Sequence, residues 1–330
     1  MKRPPQGGRF SFLSTPARHT PRPLTDFFDE VCMNLAATAS LPDLPSARWS
    51  RALRASGLLD LSVPREYGGR GAGWEEVLQT LRDLSERDGT LARLFAVHHL
   101  QLASVLLLGS REQRERLLPL SVERDWLWGE AVDHQERRLL AREHRRGGFL
   151  LQGGRHDCFG AEAADWLLIS AWHAPSEGLL IAALPANRDG LDRFEPNGGG
   201  LLRCHEVRLH PEDILLPPGL PWTPRAQLRG SLAALLQANI ALGLAMQACD
   251  ALPARVAVGG LRRLLGLGLR LSEQSAVAFE AALATENGLT FTRSAALATL
   301  VAETAAVAQQ AVEVGLREEG VHARLLAGAT

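Results

Sequence analysis

The sequence predicts an α+β, mostly helical protein. It reads as an N-terminal helical domain, a small antiparallel β domain in the middle and a C-terminal helical bundle. Three observations predict it. In "WEEVLQTLRDLSERD", Trp74, Val77, Leu78, Leu81 and Leu84 recur at helical spacing with charges opposite. Between about 126 and 217, short apolar runs alternate with Gly, Pro and Asn. From Pro224 onward the chain is helical in character and heavy in alanine and leucine.

The expected boundaries are a leader over 1–23, a helical domain over 24–122, a β domain over 123–220 and a bundle over 221–330. The leader, "MKRPPQGGRFSFLSTPARHTPRP", is rich in Pro, Arg and Gly, which predicts disorder. It has no apolar stretch of the kind a secretory signal needs. "GLLDLSVPREYGG" then reads as a short apolar segment closed by a glycine turn. Asp88 to Thr90 breaks the helix containing Trp74, and Thr90 is the expected cap of the next one. That next helix, "LARLFAVHHLQLASVLLL", is apolar except at Arg93, His98, His99, Gln101 and Ser104, and ends at Gly109. "SREQ", Ser110 to Gln113, is a capping-box pattern that starts another.

In the middle region five runs read as strands: "FLLQGG", "DWLLISAW", "GLLIAALP", "LLRCHEVRLH" and "DILLPPG". Strict alternation in the fourth would place Cys204, Glu206 and Arg208 on one face, and His205, Val207 and Leu209 on the other. In the bundle, "SLAALLQANIALGLAMQAC" has no charge and is long enough for a membrane span. Its alanine content and its Gln237, Asn239 and Gln247 favour the centre of a bundle instead.

Composition narrows the function. The chain is 46% hydrophobic and 22% charged, so it has the material for a core rather than the profile of a disordered chain. A net charge of −1 provides no basic field for nucleic acid. Cys32, Cys158, Cys204 and Cys249 are widely spaced with no CxxC pair, which predicts free thiols in a reducing compartment, the cytoplasm. "GGRGAG" lacks the context of a phosphate loop and reads as a turn. His134, His144 and His156 show no metal-ligand spacing, so no metal is expected. Two readings fit the adjacent His98 and His99: core histidines held by backbone carbonyls, or a proton-handling residue at a site.

Several phrases together resemble the acyl-CoA dehydrogenase superfamily: "GLLDLSVPREYGGRG", "GSREQRERLLP" and "HEVRLHPEDILL". "FAVHHLQLASVLLLGSREQ", "LWGEAVDHQERR" and "HDCFGAEAADWLLIS" are similar to its branch of flavin-dependent monooxygenases, those related to dibenzothiophene monooxygenase. The resemblance implies reduced FMN or FAD from a separate flavin reductase, a small sulfur or nitrogen compound as substrate, and a homo-oligomer, dimer or tetramer. It implies His98 or His99 as the catalytic group. Trp128, Gly129, Glu130, Cys158, Phe159 and Gly160 would surround the cofactor, with Trp126, Trp128 and Phe159 lining an apolar pocket. Three departures stand out. Glu130 replaces the branch's usual asparagine, Phe159 its serine, and "NGGG" a longer polar loop. The branch also carries a further catalytic helix beyond the point where "VHARLLAGAT" stands, so the chain is expected to be shortened there. An acyl-CoA dehydrogenase using FAD, and a non-catalytic member that binds a partner, are the alternatives these departures keep open.

Overall fold

The computed structural model describes residues 47–194, 200–220, 222–252, 259–285 and 288–327. The expected leader, Cys32 and most of "NGGG" lie outside the described residues. Among the described residues four helices come first: α1 (Ala47–Ala55), α2 (Trp74–Arg87), α3 (Gly89–Leu108) and α4 (Arg111–Glu123). Eight strands follow. They are β1 (Trp128–Ala131), β2 (Leu140–Glu143), β3 (Phe149–Arg155), β4 (Trp166–His173), β5 (Gly178–Pro185), β6 (Leu191–Phe194), β7 (Leu201–Leu209) and β8 (Ile214–Leu216). The chain then forms α5 (Pro224–Ala251), α6 (Gly259–Leu283) and α7 (Phe291–Ala327).

Local chemistry explains the boundaries. Ser110 and Gln113 form the expected reciprocal capping box, with Gln113 Oε1 accepting from Ser110 N–H at 2.8 Å. The cap of α3 is Asp88 rather than Thr90. Its carboxylate accepts from the N–H groups of Thr90 and Leu91 at 2.9 and 3.0 Å, which satisfies two orphan donors at once. "GLLDLSVPREYGG" closes through a 3-10 turn at Arg65–Tyr67, and Gly68 adopts the left-handed φ of 89° that ends it.

The strands form one curled sheet in the order β6–β7–β3–β2–β4–β5–β8, with β1 added to β4. Most pairs are antiparallel, but β1 runs parallel to β4, with Trp128 opposite Trp166. All five expected strands are present. The three additional ones, β1, β2 and β6, have four residues each and carry charges. In β7 the alternation breaks: Leu202, Cys204, Val207 and Leu209 are the buried residues. The cause is a bulge at His205–Glu206, where Glu206 takes a left-handed φ of 54° and the register against β3 shifts between Leu151 and Gly153. Cys204 and Val207 therefore share the buried face. Inside the sheet these pack with Leu139, Leu167, Leu180 and Leu184.

A second core joins the sheet to the helices through Trp128, Leu168 and Ile181 against Leu102, Val105 and Leu117. A third lies among α5, α6 and α7. Among the described residues, three helices are long and apolar enough to cross a membrane by length and composition. In α3 and α5, 83% and 61% of the most apolar stretch is buried inside the fold, so core packing accounts for their composition. In α5 the buried Asn239 Oδ1 accepts from Ser272 Oγ of α6 at 2.8 Å.

Candidate functional site

The residues expected at a site meet where α3, β1 and α5 converge. His98 and His99 are 1% and 0% exposed. The structure gives every ring nitrogen a partner. His98 Nε2 donates to Leu59 O at 2.7 Å, and its Nδ1 accepts from the Trp128 N–H at 3.2 Å. His99 Nε2 lies 3.1 Å from Leu58 O and its Nδ1 2.7 Å from Ser62 Oγ. The pair pins the 58–62 segment and the start of β1 to α3. Burial pushes His98 down to about 4, and His99 also falls well below its ordinary value through burial and its neighbour's charge. At neutral pH both rings are uncharged.

On β1 the pleat sends Trp128 and Glu130 to the helical side, and Gly129 and Ala131 to the inside of the sheet. Trp128 is fully buried, donates through Nε1 to Ser121 Oγ at 3.0 Å, and stacks at 5.5 Å on Trp166, which also meets Trp126 at 5.0 Å. Gly129 is needed for close approach: a Cβ there would come within 2.9 Å of Gly160 O. Gly160 turns with φ 71°, and the Glu130 N–H donates to Phe159 O at 3.1 Å, so β1 and the 157–160 turn are held together.

Glu130 answers the electrostatic difficulty its sequence position raises. Its Oε1 accepts from Arg229 Nη2 of α5 at 2.8 Å, and the arginine side chain is only 4% exposed. Arg229 Nε donates to Ser104 Oγ at 3.0 Å, and Nη2 also reaches Gln101 Oε1 at 3.4 Å. The carboxylate is thus neutralised by a buried cation rather than left to repel an anion. Phe159 offers a ring face in place of a hydroxyl, with the Arg93 guanidinium 4.2 Å above it. Trp126 and Trp128 stack with Trp166 toward α4, whereas Phe159 contacts α3 through Arg93.

Cys158 is buried, with its thiol pushed up to about 12 by burial, so it packs rather than reacts. Cys204 is held in the same state. Among the described residues, no three His, Cys, Asp or Glu side chains converge on a metal-sized point. Sequence reasoning missed Gln101, Ser104 and Arg229. The signal was present for two of them, as polar breaks in the apolar run of α3. Arg229 comes from outside that run, two residues before the apolar stretch of α5, and only the packing of α5 on α3 reveals it.

Residues 22–125 match the family model described as acyl-CoA dehydrogenase, N-terminal domain. The chain is 32% identical over 246 residues to a protein of Pseudomonas putida named probable FMNH2-dependent monooxygenase SfnC, covering 71% of this chain and 62% of that protein. It is 34% identical over 221 residues to dibenzothiophene monooxygenase of Rhodococcus erythropolis, covering 60% and 53%. It therefore spans less than two thirds of the length of either relative. Among solved structures, methanesulfinate monooxygenase MsuC of Pseudomonas fluorescens superposes with a TM-score of 0.71 at 28% identity, over 91% of this chain and 85% of that one. Dibenzothiophene monooxygenase TdsC of Paenibacillus sp. A11-2 shares the fold, with a TM-score of 0.75 at 23% identity over 88% and 82%. Residues 22–125 thus carry the pattern of the acyl-CoA dehydrogenase N-terminal domain, and over 71% of its length the chain is similar to a protein named as an FMNH2-dependent monooxygenase.

Proposed function

We propose that this chain is a two-component, flavin-dependent monooxygenase that takes reduced FMN from a separate reductase and acts on a small sulfur or nitrogen compound. The observation that carries the reading is the 32% identity with the FMNH2-dependent monooxygenase of Pseudomonas putida across the framework that builds the α3–β1–α5 junction. The residues fit such a cofactor through charge and ring contact. The Glu130–Arg229 pair leaves no uncompensated carboxylate beside an anionic ring, and Phe159 supplies an apolar face.

Reduced flavin, when bound, supplies the electrons with which one atom of dioxygen is transferred to the substrate. The chain's own residues do the rest. Phe159 supplies a dry face of the site, Gly129 and Gly160 let β1 and the 157–160 turn approach closely behind it, and Glu130 with Arg229 sets its charge. His98 and His99 act as positioning residues. Moving a proton through His98 would require breaking its bond to Leu59 or to Trp128, and each ring nitrogen is already committed. Self-association through the bundle and a reducing cytoplasmic setting complete the proposal. In support, Phe291 and Leu316 of α7 are 57% and 47% exposed, and the three described cysteines are free.

Oxygen uptake by the purified chain with FMN, NADH, a flavin reductase and a panel of thioethers, sulfinates and amines tests it. The expected result is substrate-dependent uptake above the reductase background, with an oxygenated product by mass spectrometry. Flavin binding without uptake on any substrate would point to the non-catalytic alternative, which Phe159 in the place of a hydroxyl donor favours.

A further inference from the structure

The polar node behind Glu130 has more donors than acceptors. Gln101 is 0% exposed and lies on α3 three residues after His98. Its Oε1 faces the Arg229 guanidinium, which fixes the orientation of the amide, because the reverse would set N–H against N–H. Its Nε2 has no hydrogen-bond partner. Ser104, whose oxygen receives a proton from Arg229 Nε and whose hydroxyl donates to Leu100 O at 2.6 Å, makes no bond to it. Arg229 carries donors alone. A buried amide donor left without an acceptor is destabilising, and an all-apolar packing of α3 on α5 would avoid that cost.

We propose that Gln101 Nε2 is a specificity-determining donor for the substrate, one that takes a neutral hydrogen-bond-accepting oxygen such as that of a sulfoxide, amide or ketone. This deepens the monooxygenase reading and rests on it. The charge of the node selects the class. Arg229 already has its counter-ion in Glu130, so the node is balanced, and a neutral acceptor fills the vacant donor without introducing a third buried charge. A sulfinate or carboxylate would have to share Arg229 with Glu130 or expel it. Glu130, whose side chain is 24% exposed, is the most accessible member of the node, so the ligand enters along its side chain.

Ligand-observed NMR with the full chain tests the assignment, using tetramethylene sulfoxide as the neutral probe and methanesulfinate as the anionic one, each with and without FMN. Wild type is expected to bind the sulfoxide in preference to the sulfinate. Gln101→Leu and Gln101→Met, which remove the donors without adding a charge, should each weaken the sulfoxide by about tenfold, the scale of one lost hydrogen bond. FMN affinity, measured separately by fluorescence, should change less than twofold in both variants. Preference for methanesulfinate, unchanged sulfoxide affinity in a folded variant, or no sulfoxide binding to wild type would each overturn it. A parallel loss of FMN affinity would also overturn it, by assigning the donor to the cofactor. Because FMN binding to wild type is read in its own arm, failure of the monooxygenase reading is seen separately.

Discussion

At the scale of single residues, the account turns on two buried groups of opposite kind. His98 is neutral and doubly bonded, so His98→Ala would strand Leu59 O and the Trp128 N–H beside a cavity. The expected loss is about 3 kcal/mol in urea unfolding. Its titration makes a second prediction. The folded-state value of about 4 lies below the ordinary 6.5, so between those values the unfolded chain takes up a proton that the folded chain refuses. Stability is therefore full above pH 6.5 and falls as the pH drops toward 4, by an amount on the order of 3 kcal/mol from His98. His99 acts in the same direction. Urea midpoints measured from pH 7.5 to 4.5 should fall less steeply in His98→Asn than in wild type. Arg229 is the opposite case. Arg229→Met would leave Glu130 without its cation, and reduced FMN should bind about tenfold more weakly while oxidised FMN changes less, as anaerobic titration would show. The histidines were visible in the sequence as polar breaks in an apolar helix, but not their partners. Leu58, Leu59 and Trp128 lie 30 to 41 residues away along the chain.

At the scale of elements, the sequence was most legible where a local pattern decides the outcome. The capping box at Ser110 needs only Gln113, three residues on, and it forms as written. The start of α3 was misplaced by two residues because Asp88 and Thr90 are both capping types, and the choice depends on which oxygen reaches the free N–H groups. Asp88 also accepts from Trp49 Nε1 at 2.8 Å, a tie to α1 that propensity cannot show. Asp88→Ala should cost about 1–2 kcal/mol in thermal or urea unfolding, whereas Thr90→Ala should cost little. Strand β7 was found, but its faces were not. A bulge is set by pairing with β3, and one extra residue reverses everything beyond it. Glu206 carries the strained φ of that bulge. Glu206→Gly should raise stability by about 0.5 kcal/mol, as relief of left-handed strain exceeds the added chain entropy. Periodicity did not show β1, β2 or β6, because four residues give it too little length; only the resemblance implied a strand at Gly129 and Glu130.

At the scale of the whole molecule, the order of helices, sheet and bundle followed from composition and spacing along the chain. The meeting of α3, β1 and α5 did not, since it joins Gln101, Glu130 and Arg229 across 128 residues. The resemblance implied a cofactor in this region and the fold supplied the charge balance. On the proposed function, these residues, with Glu130 and Phe159 in place of the branch's usual side chains, still form a site for reduced flavin. Anaerobic titration of the purified chain with reduced FMN, followed by quenching of its tryptophan fluorescence, tests that claim most directly. The account predicts saturable binding in the micromolar range, tighter for reduced than for oxidised FMN, and weakened in Arg229→Met. No saturable binding of reduced FMN by a folded chain would contradict it.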